Sequence, residues 1–67
     1  MTKDKLKYLL FDYVTGSLKK VMVAGVIMES LELFKNTNVD AIIETLDNLA
    51  ELNEEEEILK GIDELMT

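Results

Sequence analysis

Apolar residues recur along the chain at helical spacing, in four blocks of different clarity. In the first block Leu6, Leu9, Leu10, Tyr13 and Val14 fall at i, i+3, i+4, i+7 and i+8, the pattern of one helix face. Thr2 is placed to cap the start, and Gly16 to take the left-handed conformation that ends a helix. This predicts a helix over residues 3–15. Tyr8 and Phe11 lie off the stripe, so the helix carries apolar surface on a second side.

Ser17 is a candidate cap for a second helix over residues 18–35. Its first part is ambiguous. Residues 21–28 are apolar on every face for two turns, and their three Val, one Ile and Gly25 also suit a strand. A β-hairpin turning at residues 15–17 is therefore the alternative, and it would make the chain α+β. The helix is favoured because residues 28–35 continue it with good helix formers. Its apolar stripe moves along its length. Leu18, Val21, Met22 and Gly25 share one side; Val23, Ile27, Leu31 and Phe34 share roughly the opposite side. A helix that is apolar all round must be surrounded. The small Ala24 and Gly25 would let another backbone come close.

The third block is the clearest. Val39, Ile42, Ile43, Leu46, Leu49 and Ala50 form a stripe of period near 3.6. Thr37 followed three residues later by Asp40 fits an acidic capping box. This predicts a helix over residues 38–52. The phase then breaks, because extending the stripe would turn Asn53, Glu56 and Glu57 toward the core. Ile58, Leu59, Ile62, Leu65 and Met66 form a new, rotated stripe. A fourth helix is expected over 54–66, capped by Asn53, with carboxylates in its first turn against the positive end of the helix dipole.

The fold class that follows is all-α: a small three- or four-helix bundle forming a single domain over residues 1–67. With 67 residues the core is small, and domains of this size usually add disulfides, a metal or oligomerisation. The chain has no Cys and no His, so the first is closed to it, as are the usual Cys and His metal sites. Homodimerisation, the commonest symmetry, is the expected completion. Tyr8, Phe11, Val23, Val26, Ile27 and Phe34 are the candidate self-association residues, being apolar positions that two neighbouring helices would not cover.

Composition narrows the chemistry. Without His, Cys or Arg, an enzyme would lack the commonest general base, the thiol nucleophile and the bidentate anion clamp. Ser17, Ser30, Thr45 and Tyr13 have no evident base beside them, so no catalytic residue, cofactor or metal site is expected. Asn36, Asn38, Asp40 and Asp47 stand at positions 1, 3, 5 and 12 of an EF-hand-like loop, but Ala41 replaces the required Gly and the run coincides with the strongest helical periodicity. A helix cap followed by a solvated face explains the same residues.

The net charge of −7 is unevenly placed. Residues 1–35 hold six Lys against four acids, and residues 36–67 one Lys against ten acids. Asp40, Glu44, Asp47, Glu51, Glu54, Glu55, Glu56 and Glu57 are the candidate acidic face for a partner, which a basic protein would complement. The five clustered Lys of the first twenty residues are a weak phosphate signal, and the overall charge opposes direct nucleic-acid binding. The longest charge-free apolar run is eight residues, far below the ~20 that a membrane span needs. No secretory signal is evident, and a cytoplasmic location is expected. A basic set made only of Lys fits an AT-rich coding sequence such as that of a low-GC bacterium or its phage.

The leading expectation is a non-enzymatic, homodimeric helical protein that mediates protein–protein interaction in a regulatory, adaptor or assembly role. Helix-in-groove contact through residues 21–28 is its expected chemistry. An acidic inhibitor that imitates nucleic acid and a structural assembly subunit are the alternatives.

Overall fold

The structure, a computed structural model, describes all 67 residues. It contains four α-helices: α1 (Lys3–Val14), α2 (Lys20–Glu29), α3 (Val39–Leu49) and α4 (Glu55–Leu65). There is no strand. Residues 21–28 are helical, so the N-terminal β-hairpin does not form. The only extended pairing is an isolated antiparallel bridge between Phe34 and Met66.

α1 starts as its sequence specifies, with the Thr2 hydroxyl accepting from the Lys5 N–H at 3.2 Å. It ends in a Schellman motif. Gly16 adopts φ +90°, the Ser17 N–H donates to the Asp12 carbonyl at 2.7 Å, and the Gly16 N–H donates to the Tyr13 carbonyl at 3.1 Å. Those bonds satisfy carbonyls that the helix end would otherwise orphan. Leu6, Leu10 and Val14 are buried.

α2 departs from expectation at both ends. Ser17 does not cap it; Lys19 occupies the cap position without a side-chain hydrogen bond. The helix stops at the buried Ser30 rather than running to 35, and continues as one 3-10 turn, Leu31–Leu33. Phe34 is then extended. The cause is tertiary. Lys35 N–H donates to the Leu65 carbonyl at 3.0 Å and Thr67 N–H to the Leu33 carbonyl at 2.9 Å. The bridge supplies the backbone bonds that further helix would have made, and it buries Phe34 and Met66 together in the core. Ser30 eases the break, since its short polar side chain weakens helix relative to turn.

The third helix is capped by Asn38, one residue later than the expected Thr37. Its Oδ1 accepts from the Ala41 N–H at 3.1 Å, and the Asn36 Oδ1 accepts from the Asn38 N–H at 2.8 Å. Asn is at least as good a cap as Thr, and two of them in series organise the connection. α3 ends at Leu49 rather than 52, and α4 is preceded by Glu54 rather than Asn53, with Glu55, Glu56 and Glu57 in its first turn. α4 lies close to α3 where Gly61 faces Leu49: a Cβ added to Gly61 would collide with both Leu49 Cδ atoms.

One twelve-residue core joins all four helices, with Leu6 and Leu10 from α1, Val23 and Ile27 from α2, Ile42, Ile43 and Leu46 from α3, and Ile58 and Ile62 from α4 at its centre. α1 and α3 each pack on the three other helices, whereas α2 packs on α1 and α3. α2 therefore has neighbours along one side, and its opposite side faces outward.

Candidate interaction surface

α2 is apolar at every position from 21 to 28. A helix turns by about 100° per residue, so covering one side must leave apolar residues on the other. Val23 and Ile27 are fully buried, and Ala24 and Val26 sit half-buried on the flanks. Val21, Met22, Gly25 and Met28 form the outer face. Val21 is 76% exposed, Met22 57% and Met28 61%. This face carries no charge over two turns. Its charged neighbours are at the ends: Lys19 before the helix and Glu29 in its last turn, both exposed. Neither makes an ion pair within the chain, whose two pairs are Lys7–Asp63 and Lys20–Asp47.

The six self-association candidates do not form one surface. Val23, Ile27 and Phe34 are in the core of the single chain, because they lie on the side of α2 and its continuation that meets α1 and α3. Phe11 and Val26 are half-buried against that core. Only Tyr8 is open to solvent, on the outer side of α1, in a shallow depression with Thr2, Asp4, Lys5, Leu9 and Asp12. A second depression lies between the end of α1 and the α3–α4 connection, lined by Phe11, Val14, Leu52 and Ile58. On α2 the exposed large apolar residues that the candidate set omits are Val21, Met22 and Met28. Their signal was present in the sequence. Of the two opposite stripes, the one extended by Leu31 and Phe34 is the longer and belongs inside, which leaves the Val21 side out.

The acidic candidates are all exposed, but they do not form one unbroken row. Asp40, Glu44 and Asp47 lie along the outer side of α3. Glu51 falls in the turn after α3 ends, and Glu54, Glu55, Glu56 and Glu57 surround the start of α4. Asp47 is engaged within the chain. It accepts a 2.6 Å hydrogen bond from the Tyr13 hydroxyl, and Lys20 Nζ stands 3.9 Å from its other oxygen. The bond to Asp47, then burial, then the Asp47 charge push the Tyr13 pKa above its usual value of about 10. No three acidic side chains converge as metal ligands. No helix is long and apolar enough to cross a membrane.

No protein-family model matches the chain, and neither a curated protein nor a solved structure matches it.

Proposed function

We propose that the chain is a non-enzymatic interaction protein of the cytoplasm, and that it self-associates through the outer face of α2. The observation that carries this is the exposure of Val21, Met22 and Met28 on a face with no internal charge. Hydrophobic stabilisation is proportional to apolar area removed from water, and this face leaves three large apolar side chains more than half exposed. Met suits such a role, since its flexible thioether side chain adapts to a partner's shape.

A helix of ten residues is about 15 Å long, so a contact along it is smaller than the standard ~800 Å² per partner and association is correspondingly weak. Sedimentation should therefore be read up to concentrations on the order of 100 μM, where weak small interfaces assemble. The expected result is a dimer for the parent and a monomer of unchanged helix content for Met22→Asp. A parent that stays monomeric throughout that range would overturn the assignment.

A second reading, imitation of nucleic acid, is supported by the exposure of Asp40, Glu44 and the four Glu at 54–57. It is weakened by Asp47, which is partly neutralised by Lys20 in the middle of the α3 row. Binding to a basic partner by that route would fall steeply with salt, since exposed charges are screened within ~10 Å at 0.1 M. Association through the α2 face would hardly respond to salt beyond its charged rim.

A further inference from the structure

We propose that the occupant of the α2 face is a second copy of the chain, laid antiparallel across it with the two Gly25 residues at the crossing. This rests on α2 being the self-association face and adds the orientation of the two copies and the residues that set it. Three features of the chain carry it.

The first is the symmetry of the face about Gly25. Met22 and Met28 lie three residues to either side. A two-fold axis at Gly25 sets Met22 against the partner's Met28 and the reverse, which is the self-complementarity that a closed dimer requires. The second feature is Gly25 itself. Glycine in the middle of an exposed helix weakens it, and within the chain nothing requires one: a Cβ there would meet no atom within 4 Å. A crossing helix supplies the missing reason, because without a Cβ two backbones approach closely and the flanking Met side chains close over the contact.

The third feature is charge. Lys19 lies at one end of the face and Glu29 at the other, with Glu32 beyond it, all exposed and without an ion pair inside the chain. About the Gly25 axis, Lys19 stands opposite position 31 of the second copy, between the partner's Glu29 and the partner's Glu32. Both ends of the dimer gain this pairing, and the two helix dipoles run head to tail. A parallel arrangement would set Lys against Lys and Glu against Glu. The half of the chain that holds α2 favours such a contact, since residues 1–35 hold six Lys against four acids and ten of the fourteen acids fall in residues 36–67. A chain of net charge −7 associates with itself only if its repelling charges stay distant.

Charge reversal tests it. Dimer dissociation constants would be measured by sedimentation at low salt for the parent, Lys19→Glu, Glu29→Lys and the double variant, with circular dichroism confirming helix content. Each single reversal is expected to raise the constant about tenfold, since like charges then face each other at both ends. The double variant is expected to return to within about threefold of the parent, the mark of two residues that interact directly. Gly25→Leu is expected to weaken the dimer at least tenfold by roughly the same steric logic that glycine relieves, with helix content unchanged or higher. A dimer that forms as well in all three charge variants as in the parent, or a double variant no better than the worse single, overturns the antiparallel arrangement and leaves the α2 face standing. A parent that never dimerises overturns both.

Discussion

Tyr13 and Asp47 are joined by a 2.6 Å hydrogen bond that spans 34 residues of sequence and ties the last turn of α1 to α3. Lys20, at the start of α2, reaches the same carboxylate at 3.9 Å. One partly exposed side chain thus touches three of the four helices. Tyr13→Phe removes the donor and keeps the ring, so a loss of about 0.5–1.5 kcal/mol is expected in urea unfolding.

The same contact gives stability an alkaline limit. The folded chain holds the Tyr13 proton more tightly than the unfolded chain does, because ionisation would break the bond to Asp47 and set two negative charges together. A group whose pKa is raised by folding contributes its full stabilisation below its ordinary pKa, here about 10, and loses it as pH rises through the raised value. Unfolding free energy is expected to fall above that pH in the parent and to fall less in Tyr13→Phe. In Asp47→Asn, absorbance titration of the tyrosines is expected to show Tyr13 ionising at lower pH than in the parent.

Two helical glycines respond oppositely to alanine. At Gly61 the added Cβ meets the Leu49 side chain, so Gly61→Ala is expected to cost about 1–3 kcal/mol by overpacking despite its better helix propensity. At Gly25 the space is open, and Gly25→Ala is expected to stabilise the dilute monomer by about 0.5–1 kcal/mol. Urea midpoints of the two variants should move in opposite directions. In a Leu49→Ala background the cost of Gly61→Ala should shrink, since the clashing side chain is gone.

Helix boundaries offer a third check. Gly16 holds φ +90°, so Gly16→Ala is expected to cost about 1–2 kcal/mol for the left-handed conformation. Asn38→Ala removes the acceptor for the Ala41 N–H and is expected to cost about 1 kcal/mol. Thr37→Ala, which removes no cap bond, should cost less than Asn38→Ala in the same thermal melts.

Core and outer face of α2 separate cleanly by charge insertion. Ile27→Asp buries a carboxylate without a partner and is expected to unfold the chain. Val21→Asp, on a residue 76% exposed, is expected to leave the circular dichroism spectrum intact. Loss of helix in Val21→Asp would mean that the outer face is not outside.

The all-α class, α3 and α4 were legible because their stripes run unbroken: Ile42, Ile43 and Leu46 in one, Ile58 and Ile62 in the other, all buried as their spacing requires. The Thr2 cap and the Gly16 stop were legible as well, since both are local chemistry. α2 was not. A segment apolar at every position carries no phase, so periodicity alone does not say which side turns inward. Its end at Ser30 is set by the pairing of Phe34 with Met66, a contact between residues 32 apart in sequence that no local pattern announces. The exposure of Val21, Met22 and Met28 was readable only from beyond that segment, where Leu31 and Phe34 extend the stripe of Val23 and Ile27 and turn it inward.

The bridge at Phe34 and Met66 has a consequence for how the molecule opens. It closes residues 34–66 into a loop whose two ends must meet before either backbone bond can form, and that meeting carries an entropic cost set by loop length. The loop can stay shut only while α3 and α4 remain packed within it. Residues that follow a last helix ordinarily fray. Here the amide hydrogens of Lys35 and Thr67, both donors in the closure, are expected to exchange with solvent only when the whole core opens. A position at the edge of the chain thereby becomes a gauge of global unfolding.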